Sequence, residues 1–472
     1  MKKIVSSNFR KYILERYPIL CENISYRRFF QYLLFSSYCD DNNLLLIPTK
    51  IIARMEYAKI NHHYNPIDFL ESFKKDVLLN FEWSNKEIIS DFYGLIFKPR
   101  VVINNGFDDE LNKKIQEELL NVKKKGFVYF LSGEEYTERR KREVKEKETL
   151  EIINKIKEQN HMYNKTQQKI INYFDSFNAD KAITTKLYDN WDKATGLILE
   201  INNENSKLNQ LRLLQSIKEN PSIIYGPSVN SRTCRLFHKN DCVIGLKSEI
   251  RKAICSGWTE VDLKSSQFVI LSEILDAPLA KSLLLSEVDL WKYLNNVIAD
   301  KYETPSKELK GVLKSIIYGI CFGEGKRKLK KICQENNINS ILDCELIKEL
   351  LDRRTAWFHK IKEEGYVLDV WGNKHSLEDK TIENPNGRWE GAVAASKIQS
   401  IEMEIISALF DYAKDNDKRM RFKIMLFQHD GCTIAFQDKQ KKELALKEMK
   451  QVVVDKATRF GYSKMKLEHK DL

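Results

Sequence analysis

Two aspartates, far apart in a chain of 472 residues, sit at the ends of short apolar strands. Asp262 closes Trp258-Thr-Glu-Val-Asp262-Leu, and a helical pattern follows. Asp430 lies in Met425-Leu-Phe-Gln-His-Asp-Gly-Cys-Thr-Ile-Ala-Phe436, which reads as a strand, a tight turn and a second strand. The spacing predicts Asp430 at a hairpin tip, beside Gly431, which tolerates the backbone of such a turn. Two strand-end carboxylates are what two-metal phosphoryl transfer needs, since each can hold Mg²⁺ near the reacting phosphate. Between them, Lys310, Lys314, Tyr318 and Phe322 recur every fourth residue. At 3.6 residues per turn they share one slowly drifting helix face. Cations there suit a triphosphate, and aromatics suit a base and sugar.

The elements that carry these residues are legible in outline. Leu309, Leu313, Ile316, Ile317 and Ile320 give the lysine helix an apolar side. Pro305 near its start and Gly323 past its end are the expected punctuation. Taken singly, the same helix reads as an ordinary amphipathic one, and His429 as a satisfied hairpin histidine. The joint arrangement favours chemistry. Asp108-Asp109-Glu110 contains an acid-x-acid pattern, but it opens an amphipathic helix, where acids favour the N-terminus. No exonuclease domain is expected. Earlier still, Arg27–Phe35 reads as a buried helix, Pro48 as the start of another, and Val77–Trp83 and Gly94–Asn104 as strands. Residues 134–220 carry helical patterns with charged faces, including Arg139-Arg140-Lys141-Arg142.

The composition is compatible with a nucleic-acid partner. The formal charge is +11, and 42% of residues are hydrophobic and 11% aromatic, enough for real cores. Nine cysteines occur without a Cys-x-x-Cys pair, which argues against a zinc ribbon and suits reduced thiols. No run approaches the roughly 18 apolar residues of a membrane span, so a cytoplasmic protein is expected.

The segment from about 225 to 470 resembles the palm and fingers of A-family DNA polymerases, with its motifs in family order. Arg232-Thr-Cys-Arg235-Leu-Phe resembles a segment that contacts the primer–template minor groove, and Arg251 the arginine preceding the first catalytic strand. Asp262 is similar to the first catalytic aspartate. Lys310, Lys314, Tyr318 and Phe322 resemble the fingers helix. Gly365-Tyr-Val-Leu-Asp-Val-Trp-Gly372-Asn-Lys374 resembles a family hairpin, and Gln399 a glutamine that reads the minor groove. His429-Asp430-Gly431 resembles the third motif, with glycine in place of a variable acid.

The resemblance implies an α+β right-hand polymerase: an antiparallel palm sheet, helical fingers and thumb, and a small mixed N-terminal domain. The implied segments are 1–130 (accessory, DNA- or partner-binding), 131–222 (thumb), 223–300 (palm with Asp262), 301–390 (fingers) and 391–472 (palm with Asp430). It further implies two Mg²⁺ ions on Asp262 and Asp430, with Mn²⁺ as a substitute, and DNA primer–template and dNTPs as partners. Lys314, assisted by Lys310, would stabilise the transferring phosphate, and Tyr318 would pack the nascent pair. Arg235, Arg251, Gln399 and His429 would bind nucleic acid. Gln267 stands where many members carry a sugar-gate glutamate, and Phe322 where they often carry tyrosine. The altered gate implies relaxed rejection of rNTPs. Compact, exonuclease-less A-family polymerases of mobile elements are similar, including a cassette-chromosome primase-polymerase type that works with a small partner protein; a helicase is a further expected partner. A catalytically inactive nucleic-acid-binding scaffold, a single-subunit RNA polymerase and a template-independent nucleotidyltransferase are the competing readings.

Overall fold

A computed structural model describes residues 4–35, 45–48, 66–77, 79, 82–85, 88–90, 95–97, 99–104, 107–120, 127–133, 150–151, 164–227, 233–286, 288–299, 302–378 and 389–472. The architecture is mixed α+β, mostly helical with small sheets. The chain divides into two compact units. One comprises Met1–His161, Asn178–Val229 and His238–Ser256, the other Met162–Phe177, Asn230–Phe237 and Gly257–Leu472. No helix among the described residues is long and apolar enough to cross a membrane. The arginine run at 139–142 and Arg232 lie outside the described residues.

In the first unit the helix Ile24–Phe35 is buried along most of its length, as its pattern predicts. Its Phe29 meets Phe73 edge-on at 4.7 Å and Phe69 at 5.5 Å. Buried Arg212 donates to the carbonyls of Leu34 at 2.6 Å and Leu33 at 2.7 Å, satisfying the helix's C-terminal end. Asp108 accepts from the Leu111 amide at 2.9 Å, capping the helix Asp109–Leu120, and Arg16 pairs with Asp108 and Glu110. Those acids are therefore helix-starting groups. Pro48 closes the strand Leu45–Pro48, a place where its missing N–H is tolerated, and the helix expected to start there lies outside the described residues. Val77 ends the helix Pro66–Val77, and the following strand begins only at Glu82.

The second unit is built on a four-stranded sheet. Its order is Phe422–Phe427, Gly431–Phe436, Thr259–Leu263 and Leu467–Asp471, all antiparallel. Alternate residues Thr259, Val261 and Leu263 are buried, and Glu260 and Asp262 face the other way. The helices Trp389–Ile406, Ala408–Met420 and Lys439–Arg459 belong to this unit. So does Lys165–Asp175, which the sequence grouped with a 131–222 helical segment. It is held by Thr166 donating to Glu404, by a Lys169–Asp411 pair at 2.7 Å, and by Tyr173 against Phe410 at 5.4 Å. The tyrosine hydroxyl also accepts from the Ile424 amide at 3.0 Å. The segment 223–300 is likewise divided, with 223–229 and 238–256 in the first unit.

The helix Lys307–Cys321 starts at Ser306, whose hydroxyl accepts from the Leu309 amide at 3.2 Å. Leu313, Ile316, Ile317 and Ile320 are buried beneath it. Phe322 is the cap residue and Gly323 takes the left-handed backbone, φ 84°. This end is locked against another helix at Gly391, where an added Cβ would lie 2.5 Å from the Phe322 carbonyl oxygen. Backbone cannot rotate away as a side chain can. Gly391→Ala should therefore lower stability by roughly 1–3 kcal/mol. Gly196→Ala, where nothing lies within 4 Å of the new Cβ, should instead raise it by up to about 1 kcal/mol. Urea midpoints of the two variants check this; equal midpoints would remove the close helix crossing.

Candidate active site

The strand register brings the two aspartates together. Asp262 pairs across the ladder with Gly431, and the Leu263 amide donates to the Asp430 carbonyl at 3.0 Å. The hairpin turn is made by Gln428, His429 and Asp430, closed by the Gln428 amide donating to the Gly431 carbonyl at 2.8 Å. Its positive φ falls on His429, at 69°, and not on Gly431. The glycine's purpose differs from the expected one. A Cβ at 431 would lie 2.7 Å from the Val261 carbonyl and 2.9 Å from Asp262 Oδ1. Position 431 stays bare so that the strands can close with a carboxylate between them. Packing supports His429 in its strained conformation, with its ring 5.1 Å from Phe237 and 6.4 Å from Phe427, edge to face in both cases.

The strand that carries Asp262 leads into a second strained position. Ser265 has φ 49° and stands just before the helix Ser266–Ile274. Ser266 Oγ donates to Glu402 Oε1 at 2.6 Å. Glu402 belongs to the helix Trp389–Ile406, and its side chain is 1% exposed. Its other oxygen accepts from Arg235 Nη2. The same helix carries Gln399, whose Oε1 accepts from the Thr233 hydroxyl. Arg235 and Gln399 are thus both engaged within this unit. Gln267, one residue beyond Ser266, is buried, and its Oε1 has no hydrogen-bond partner. Arg251 lies in the other unit, where its Nη1 donates to the carbonyls of Leu246 at 3.3 Å and Ile244 at 3.4 Å.

Charge is concentrated here. Burial pushes the Asp262 carboxyl well up, and Asp430, Glu468, Glu260 and Glu402 push it further. Asp430 is also raised, by burial and then Glu402, while Arg235 and Lys314 pull it back. Tyr318 is held neutral by burial first, with Asp430, Cys321, Glu402 and Asp262 adding to the shift. Tyr318 of the lysine helix therefore lies in the field of both aspartates, and Lys314 in that of Asp430. Lys310 and Lys314 flank Trp291, with Nζ atoms 5.8 and 6.0 Å from its ring centre. Phe322 is half-buried at the helix end.

Sequence reasoning missed Glu402, Ser266 and Trp291. A signal for Glu402 existed: an acid among Ile398, Ile401, Met403 and Ile405 must have a buried partner. Nothing in the sequence marked Trp291 as the platform under the lysines.

The donor set suits a hard divalent cation. Asp262 and Asp430 present oxygen ligands in a buried, mutually repelling pair that a cation would relieve. Glu402 is engaged by Arg235 and Ser266. Among the described residues no group of three or more His, Cys, Asp or Glu is arranged to hold a metal. Two carboxylates are the protein's usual share of the ligands of an ion such as Mg²⁺, which keeps several waters of its own.

No family model matches the chain, and no curated protein matches it in sequence. Among solved structures it is similar to the POL domain of Pol1 from M. smegmatis in complex with DNA primer-template and dNTP, at 14% identity and a TM-score of 0.43. The likeness covers 59% of this chain and 55% of that one, so the chain spans about half the length of its structural neighbour.

The raised carboxyl at Asp262 gives a stability prediction. In the window above the ordinary carboxylate range, near pH 4, and below its raised value, the folded state binds more protons than the unfolded one. Stability then falls as pH rises. Asp262→Asn removes that penalty and should stabilise the metal-free protein by about 1 kcal/mol at pH 8, with little effect near pH 4. Thermal melts in a chelator at both pH values measure it; a lower melting point for the variant at pH 8 would contradict the charge assignment.

Proposed function

We propose that the chain is a template-directed nucleotidyltransferase, a DNA polymerase of the A-family kind without a proofreading exonuclease. The observation that carries this reading is the placement of Asp262 and Asp430 on facing strands, with Tyr318 within electrostatic reach of both and Lys314 within reach of Asp430. The proposed segments are 131–222 as thumb, 223–300 and 391–472 as palm, and 301–390 as fingers. Residues 1–130 would form an accessory module for DNA or a partner protein.

Asp262 and Asp430 would hold two Mg²⁺ ions, or Mn²⁺ in their place. When bound, such ions supply Lewis-acid activation of a primer 3′-hydroxyl and stabilisation of charge on a triphosphate. Lys314 offers a point charge to the transferring phosphate, and Lys310, one turn earlier, extends it along the triphosphate. Trp291 limits where both ammonium groups can go, so positioning costs less entropy at the moment of binding. Tyr318, kept neutral, presents a ring and hydroxyl to the incoming base or sugar. His429 would sit beside the primer end, and Arg251 and Gln399 would contact nucleic acid, whereas Arg235 is taken up by Glu402.

The gate residues favour a specialised use. Gln267 is a neutral amide and Phe322 lacks a hydroxyl, so the pair cannot form a carboxylate–phenol contact. We propose relaxed rejection of rNTPs and a capacity to make or extend primers for a mobile element or phage, with a small accessory protein or a helicase as partner. An inactive nucleic-acid-binding scaffold and a single-subunit RNA polymerase remain the alternatives.

The test is templated extension on single-stranded DNA with Mg²⁺, with and without primer, using dNTPs or rNTPs. Asp262→Ala and Asp430→Ala should each abolish incorporation while leaving the circular dichroism spectrum unchanged. Near-normal extension by either variant sinks the assignment. Discrimination against rNTPs should stay below about a thousandfold in kcat/KM, roughly 4 kcal/mol. A larger ratio would return Gln267 and Phe322 to ordinary gating.

A further inference from the structure

Glu402 is a buried acid that the proposed chemistry does not use. Its side chain is 1% exposed, yet it stands close enough to both aspartates to raise them. A third carboxylate next to two others is costly in low dielectric unless something compensates it. The compensation is Arg235, whose side chain is 19% exposed. Arg235 has two carboxylates within its electrostatic reach. It bonds to Glu402, and it also acts on Asp430 through space. Its Nε is buried and has no partner in the protein, so the guanidinium keeps a donor to spare. A guanidinium cannot shed its charge, and its planar fork favours two-point binding to carboxylate.

We infer that Glu402 is a positioning residue that sequesters Arg235, keeping its guanidinium off Asp430 so that the aspartate pair remains open to divalent cations. The inference rests on the metal role proposed above for Asp262 and Asp430. Glu402 is suited to win this competition because Ser266 fixes one of its oxygens at 2.6 Å and leaves the other for Arg235. Asp430, on a hairpin tip, is bonded by its own backbone and by no other side chain among the described residues. The charged and titratable neighbours are Asp262, Glu260, Glu468, Lys314 and Tyr318. Of the two cations among all these groups, Lys314 is exposed and Arg235 is the one held inside.

A non-additive pair of substitutions tests this. Equilibrium Mn²⁺ binding to the full DNA-free chain is followed by the electron paramagnetic resonance signal of free Mn²⁺. Wild type, Glu402→Gln, Arg235→Met, the double variant and Asp430→Ala are compared, and melting curves verify folding. Glu402→Gln should weaken binding about tenfold or more, because Arg235 turns to Asp430. The double variant should bind within a few-fold of Arg235→Met, and Arg235→Met should bind as tightly as wild type or more tightly. Arg235→Met keeps the inference open to refutation even if Glu402→Gln does not fold, since weaker binding by Arg235→Met overturns it. Equal loss in Glu402→Gln and the double variant would make Glu402 a metal ligand or a packing group and overturn it too. So would unchanged binding by Glu402→Gln. In those cases wild-type primer extension, run in parallel, still decides the polymerase reading by itself. Wild-type Mn²⁺ binding that Asp430→Ala leaves unaltered overturns both.

Discussion

Like charge held at close quarters is the constraint around which the second unit is arranged. Two strands place Asp262 and Asp430 side by side in a partly dry setting, where repulsion is strong and water screens it poorly. The backbone geometry that does this is fixed by Gly431, which cannot carry a side chain without striking Val261 or Asp262. Strain at His429 and Ser265 flanks the pair. Sites where charge and backbone both sit above their relaxed state are held by what surrounds them. Here the surroundings are the buried strands Phe422–Phe427 and Gly431–Phe436 and the aromatic contacts of His429 with Phe237 and Phe427.

The cations are distributed by role. Arg235 is interior and bonded, and Lys314 is exposed at the surface of its helix. The first is compensated before any ligand arrives, and the second is available to an anion. The lysine helix is itself anchored at its far end. Phe322 and Gly323 meet Gly391, and buried Arg354 donates to the carbonyls of Ile320 at 3.2 Å and Glu324 at 2.9 Å. An arginine on the C-terminal carbonyls completes the hydrogen bonding there and favours the helix dipole. One end is thus fixed to the Trp389–Ile406 helix that carries Glu402.

Much of this was legible in the sequence. The hairpin around Asp430 and the short strand before Asp262 follow from apolar runs beside turn residues, the amphipathic lysine helix from a 3.6-residue period, and each is present. The acids at 108–110 also read correctly as a helix start. What the sequence concealed was pairwise and long-range. Gly431 looked like a turn glycine because turn glycines are common, but its bareness answers to Val261 and Asp262 on another strand. Arg235 and Glu402 are meaningful only as a pair, and neither position shows this alone. The two-unit division was hidden for the same reason: Lys165–Asp175 follows Ala408–Met420 because Tyr173 finds Phe410, whatever its neighbours in the chain do.

The sheet order also bears on how the site comes into being. Thr259–Leu263 is an interior strand, and both of its neighbours come from the far end of the sequence: Gly431–Phe436 on one side and Leu467–Asp471 on the other. Its backbone ladder therefore stays unpaired through the emergence of all the intervening helices. Contacts so distant along the chain are slow to form, because a long loop must close before they repay its entropy. The helices between can gain structure early from local bonds, whereas the aspartate pair is assembled only when the last strands arrive. A nascent or truncated chain would carry the lysine helix long before its two aspartates met.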